Sequence, residues 1–259
     1  MSEVEVNRAV APTLRARGLV KRFGRRRVLD GVDLDVAPGQ VTALLGENGQ
    51  GKTTLMKLAL GVLAADGGTL EVAGCDPLKH PRRLREQVGY VPAQPDAYDW
   101  MTMRDLFRFL APQYPTWDRD YADTLVAQLR IPERTSFKAM SRGEGMKAML
   151  AAALAPRPPL LLLDEPFAGL DPLVREEVLR GVIGELRAGE RTVLVATHDL
   201  DVVARVADRV AILADGRIRK HGTLEEVLGA TAETEAPGAV PVRLRDALAA
   251  AHTPAGSLS

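Results

Sequence analysis

The sequence predicts an α/β fold with a mostly parallel sheet, an N-terminal antiparallel β subdomain and an inserted helical subdomain. Three observations carry that expectation. A glycine-rich stretch at 46–53 sits directly between the apolar segment "VTALL" and a segment with helical spacing. Two later apolar runs, in "PPLLLLDEP" and "RTVLVATHD", break off abruptly into polar residues, as strands buried on both faces of a parallel sheet do. Residues 96–155, by contrast, repeat Met, Leu, Phe and Ala at helical intervals, with Pro112, Pro115 and Pro132 as breaks.

The elements follow in order. "LRARGLV", "VLDGVDLDV" and "QVTALLG" are short apolar segments divided by Gly and Pro, which reads as strands joined by turns. "TTLMKLALGVL" from Thr53 is a helix, expected to end at the turn Gly67-Gly68. "TLEVAG" and "QVGYVPAQP" are strands, the second stopped by Pro92 and Pro95. After the helical insertion come the two buried strands, with a helix at about 172–188 between them and Gly189 as its stop. "RVAILADGRIRKHG" is a hairpin built on Asp215-Gly216. One unit is expected over 13–229, with 230–259 as a loosely attached tail rich in Ala, Pro, Thr and Gly.

Composition narrows the function classes. Lys+Arg and Asp+Glu are both 34 among 259 residues, so no net positive field draws the chain to nucleic acid. The clusters Arg25-Arg26-Arg27 and Arg82-Arg83-Leu84-Arg85 read as solvated surface. Cys75 is the only cysteine, which excludes an intrachain disulfide and points to a reducing, cytoplasmic setting. The four histidines are too scattered for a metal pattern. No apolar run approaches the ~18 residues that span a bilayer, and "MSEVEVNRAV" lacks the apolar core of a signal peptide.

Residues 46–53, Gly46-Glu47-Asn48-Gly49-Gln50-Gly51-Lys52-Thr53, fit the phosphate-binding pattern G-x-x-x-x-G-K-[ST] between a strand and a helix. Glycines let the backbone N–H groups turn inward, and the helix N-terminus adds partial positive charge. Lys52 is placed to reach the β- and γ-phosphates, and the Thr53 hydroxyl to bind Mg²⁺. A second site is Asp164-Glu165, two adjacent carboxylates at a strand end. Such a pair repels unless a cation or proton is shared. With Mg²⁺ near Asp164, Glu165 is placed to orient or deprotonate a water. His198 ends a strand on the same sheet edge, where it is positioned for a γ-phosphate.

A third stretch, "AMSRGEGMKAMLA", raises a folding question. Ser141 and Glu144 have capping-box spacing, yet Gly143 and Gly145 sit in the same first turn at roughly 1 kcal/mol each relative to alanine.

In this order the motifs resemble the ATP-binding subunits of ABC transporters, over roughly residues 13–229. Phe23 matches the aromatic that stacks on adenine, residues 46–53 match Walker A, and residues 160–165 match Walker B with its catalytic glutamate. "AGLD" ending at Asp171 matches the D-loop, and His198 the switch histidine. Residues 140–144 fall at the signature, usually LSGGQ. The resemblance implies a P-loop NTPase core that binds ATP and Mg²⁺ through Gly46, Asn48, Gly49, Gly51, Lys52, Thr53 and Thr54. It also implies a head-to-tail dimer in which Ser141, Gly143, Glu144 and Asp171 serve the neighbour's ATP. Catalysis is assigned to Glu165, His198 and Lys52, and metal binding to Thr53, Asp164 and Gln94.

The implied partners are a second ATPase subunit and a transmembrane permease on another chain, with this chain on the inner face of the cell membrane. "YDWMTMRDL" and "QYPTWD" resemble subunits of ABC-2 type export systems. The departures are Ala93 where the Q-loop has glutamine, with Gln94 one place later, Arg142 for the first signature glycine, Glu144 for its glutamine, and Gln50 for a usually small residue. An ATPase acting on ribosomes or DNA is the alternative, disfavoured by a single ATPase domain, no coiled coil and no basic excess. A regulatory module with little turnover is disfavoured by the presence of Lys52, Asp164, Glu165 and His198.

Overall fold

A computed structural model of the chain describes residues 13–189, 191–229 and 239–252. Strands β1 (Leu14–Phe23), β2 (Arg26–Val36) and β4 (Gly67–Val72) form an antiparallel sheet in the order β2-β1-β4. The second sheet contains β3 (Val41–Leu45), β5 (Val88–Val91), β6 (Leu160–Asp164), β7 (Thr192–Thr197), β8 (Arg209–Ala214) and β9 (Arg217–Thr223). Its order is β5-β6-β7-β3-β8-β9, parallel throughout except for β9. The α/β class, the mostly parallel sheet and the antiparallel N-terminal part are as the sequence predicts.

The parallel strands read as unbroken apolar runs because both faces are covered. Leu44, Leu160, Leu162, Leu194 and Leu213 face the antiparallel sheet and α1 (Lys52–Ala59). The alternate residues Leu45, Leu161, Leu163, Val193, Val195 and Ile212 face a second core that holds most of the helices. Each such leucine or isoleucine contributes about 1.5–3 kcal/mol by leaving water.

Three helices lie between β5 and β6, as expected for the insertion: α3 (Met103–Leu110), α4 (Arg119–Gln128) and α5 (Arg142–Leu154). Capping explains two of their starts. Thr102 and Asp105 form a capping box before α3, and the Asp118 side chain accepts from Tyr121 N before α4. The hairpin of β8 and β9 turns on Asp215 and Gly216, both at positive φ (50° and 70°), the geometry that favours Asp-Gly.

Some expectations need correction. Helix α1 stops at Ala59, because Gly61 takes a left-handed conformation (φ 68°); Gly67-Gly68 instead open β4. Helices α2 (Pro81–Gln87), α7 (Leu200–Val206) and α8 (Leu224–Leu228) are further elements, and α6 (Pro172–Gly189) matches the predicted helix. The largest correction concerns the tail. Residues Ala239–His252 form α9, packed on α7, α8 and β8, with Leu244 fully buried and Ala247 nearly so. The rest of the expected tail, 230–238 and 253–259, lies outside the described residues.

Candidate functional site

Strands β6, β7 and β3 are neighbours, and their carboxyl ends are level. Leu45 pairs with Thr197, and Asp164 with Ala196. The segments that follow these strands therefore emerge side by side: the loop 46–51, Glu165 and His198. In open α/β sheets this edge is where ligands bind.

The loop ends in Gly51 at φ 107°, directly before Lys52, and no side chain caps α1. Its first N–H groups are left for a ligand, and no acidic side chain occupies the first turn. A Cβ on Gly51 would lie 2.7 Å from Leu29 Cδ2 and 3.0 Å from the Val28 carbonyl oxygen, at a φ that side chains rarely adopt, so glycine suits this close approach to β2. Lys52 is 6% exposed; its Nζ donates to the carbonyls of Gly46 (2.5 Å) and Glu47 (3.2 Å) and lies 3.0 Å from Glu165 Oε1. Asn48, Gly49, Gly51, Thr53, Thr54 and Glu165 line one cleft with Lys52. Gln50 is used structurally: its Oε1 accepts from Asp215 N at 2.8 Å, pinning the loop to the β8–β9 hairpin.

Glu165 follows Asp164 with a left-handed backbone (φ 46°), its N–H bonded to the Ala196 carbonyl on β7. This turn swings its carboxylate toward the loop. His198 Nδ1 lies 3.0 Å and 2.9 Å from the two oxygens of Glu165, so the ring donates to that carboxylate when Nδ1 carries the proton. Lys52, Glu165 and His198 thus form one connected chain.

Asp164 is buried, and burial pushes its carboxyl above the usual range; the Thr53 hydroxyl opposes that shift. Its Oδ1 has no hydrogen-bond partner among the described residues. Burial and the neighbouring Asp164 also push the Tyr90 phenol on β5 up to about 12. An unpartnered buried carboxylate oxygen next to a hydroxyl suits a hard divalent cation, so Thr53 and Asp164 fit Mg²⁺.

Ser141 and Glu144 form the capping box before α5: Ser141 N donates to Glu144 Oε2 at 2.8 Å, and Glu144 N to Ser141 Oγ at 3.2 Å. These bonds hold the Glu144 carboxyl below its ordinary value. The two glycines are explained by close packing. A Cβ on Gly143 would lie 2.5 Å from Val174 Cγ1, and one on Gly145 2.8 Å from Pro95 Cγ. The start of α5 is wedged between α6 and the loop after β5. Ser141, Gly143 and Glu144 are not among the residues lining the cleft of their own chain.

Phe23, at the end of β1, is 49% exposed, with Lys21 Nζ 5.4 Å from the ring centroid. Asp171 accepts from Leu173 N and Val174 N, which makes it the cap of α6. Gln94 is exposed, has no hydrogen bond among the described residues, and does not line the cleft that holds Thr53. Arg26 and Val28 also line the cleft, and Arg26 Nη2 donates to the Gly49 carbonyl at 3.3 Å. The sequence reading assigned Arg26 to solvated surface; its only signal was proximity to Phe23.

The family model described as ABC transporter matches residues 29–168, more than half of the chain. The chain belongs to the ABC transporter family. It is similar to ABC transporter ATP-binding protein YtrB of Bacillus subtilis (strain 168), 33% identical over 211 residues, covering 82% of this chain and 72% of that protein. It is also similar to the aliphatic sulfonates import ATP-binding protein SsuB 2 of Pseudomonas syringae pv. syringae, 37% identical over 206 residues, covering 78% and 69%. Among solved structures, an ATP binding subunit of an ABC transporter superposes with a TM-score of 0.76 at 29% identity, covering 83% of this chain and 91% of that one. This ABC cassette is therefore an ATP-binding subunit and an ATPase coupled to transport. None of its described helices is long and apolar enough to cross a membrane.

Proposed function

We propose that this cassette binds ATP with Mg²⁺, closes head-to-tail on a second cassette, and hydrolyses the β–γ bond to drive transport through a membrane subunit on another chain. The observation that carries this reading is the Lys52–Glu165–His198 chain at the mouth of the phosphate loop. The γ-phosphate takes Lys52 from Glu165 and frees that carboxylate to face a water. Glu165 then accepts a proton as the water oxygen bonds to phosphorus, while the bond to the β–γ bridging oxygen breaks and ADP leaves. His198 steadies Glu165 through its Nδ1 contact, and in this reading its ring also serves the γ-phosphate. Lys52 and the N–H groups of the loop hold the transferred charge. Thr53 and Asp164 would hold Mg²⁺, which neutralises charge on the phosphate oxygens when bound.

Phe23 has the exposed face that an adenine ring needs for stacking. Ser141, Gly143, Glu144 and Asp171 lie outside their own cleft, which supports their serving the nucleotide of a second cassette. The chain then works on the cytoplasmic face of the membrane, attached through its partner. We assign it to export on the resemblance of "YDWMTMRDL" and "QYPTWD" to ABC-2 type subunits. The relative SsuB 2 carries an import name.

Purification of the tagged full chain from native membranes tests the partner. A polytopic membrane protein in stoichiometric amount, lost on stripping the membranes from the preparation, is expected. Recovery with ribosomes or DNA instead would overturn the transport reading.

A further inference from the structure

Two departures from the family pattern, Ala93 in the loop after β5 and Arg142 in the signature, touch each other. Arg142 Nη2 donates to the Ala93 carbonyl at 3.3 Å, from the first turn of α5 to a loop 49 residues earlier. The same guanidinium lies against Gly169 in the turn between β6 and α6. A Cβ on Gly169, whose φ is 69°, would sit 3.1 Å from Arg142 Cζ and Nη1. Arg142 has no carboxylate partner among the described residues, so its planar group is committed to these two backbone segments.

We infer that Arg142 is a positioning residue that fastens the signature to the loop after β5 and to the turn carrying Glu165. The joint around it is already tight, with Gly143 against Val174 and Gly145 against Pro95. The turn is short and internally bonded: Ala168 N donates to the Glu165 carbonyl at 3.1 Å, and Leu170 N to the Phe167 carbonyl at 3.4 Å. Displacement of Gly169 is therefore passed to Glu165 four residues earlier rather than absorbed between them. Arginine suits this position because its fork reaches and donates to a carbonyl while lying close to Gly169. Lysine offers only a point charge, and glycine no reach at all. A fixed contact between the signature and this turn lets the start of α5, where a second cassette's ATP is expected, govern where the local Glu165 points. The inference rests on the reading of Glu165 as the residue that orients water for ATP hydrolysis.

The test compares full-length wild type with R142K, R142A and R142G by steady-state phosphate release, ATP affinity and amide hydrogen exchange. Arg142→Ala and Arg142→Gly are expected to lower kcat about tenfold with ATP affinity within about twofold, as a displaced catalytic group does. Amides at 167–171 are expected to exchange faster, and Arg142→Lys to recover part of both effects. Arg142→Gly restores the family residue, so its loss of rate separates this role from a tolerated substitution. A kcat within twofold of wild type, a loss confined to ATP affinity, or faster exchange only at 141–145 would overturn the inference. Wild type that releases no phosphate would instead overturn the reading of Glu165, while exchange at 167–171 would still report whether Arg142 fastens the turn.

Discussion

Lys52 Nζ rests 3.0 Å from Glu165 Oε1, with side-chain exposures of only 6% and 13%. Without nucleotide the carboxylate balances the lysine that the phosphate needs, so ATP and Glu165 compete for one charge. Glu165→Gln removes the competitor and the repulsion together. We expect E165Q to bind ATP at least as tightly as wild type, to persist as a dimer with ATP, and to lose about 100-fold or more in phosphate release. Calorimetry and sizing with ATP check this; a monomeric, fully active E165Q would remove Glu165 from its role.

Asp164 gives a pH prediction. Burial raises its carboxyl above the ordinary value, so between those two values the folded chain binds more protons than the unfolded chain. Stability conferred at this position therefore falls as pH rises through that window, and the penalty persists at neutral pH. Asp164→Asn is expected to raise the melting temperature of the nucleotide-free protein at neutral pH, with the difference shrinking on acidification. The same variant should lose the stabilisation that Mg²⁺ with ATP gives wild type, and about 100-fold in hydrolysis. Thermal melts over a pH series check the sign.

Gln94 is exposed and without a hydrogen bond among the described residues. Gln94→Ala is expected to change phosphate release by less than about twofold, within the range of ordinary surface substitutions. A tenfold loss would show that the loop rearranges to bring Gln94 to the metal.

Leu244 on α9 is fully buried against the larger core. Leu244→Ala is expected to destabilise the chain by about 2–4 kcal/mol in urea unfolding. A loosely attached tail would leave the midpoint unchanged.

The phosphate loop and the carboxylate pair were legible because each is contiguous and ends an apolar run whose length marks a buried strand. Their convergence depends on β7 lying between β6 and β3, a pairing that no local pattern encodes. Helix α9 was hidden for a compositional reason: half of "AVPVRLRDALAAAH" is alanine and arginine, and Leu244 and Ala247 become core positions only once α7 and α8 are beneath them. Helix α2 shows only Leu84 to the interior, so its arginines read as plain surface. The signature glycines were legible as a cost but not as a cause. Val174 and Pro95, which forbid a Cβ there, lie about 30 and 50 residues away in the chain.

The central claim is that the Lys52 loop and Glu165 together hydrolyse ATP. Phosphate release by the purified full chain with ATP and Mg²⁺, compared with Lys52→Ala, tests it most directly. The account predicts steady turnover by wild type and, in the variant, about 10- to 100-fold weaker ATP binding with turnover lost, as the removal of a charge-assisted contact implies. Equal ATP affinity and equal phosphate release in the two proteins would contradict it.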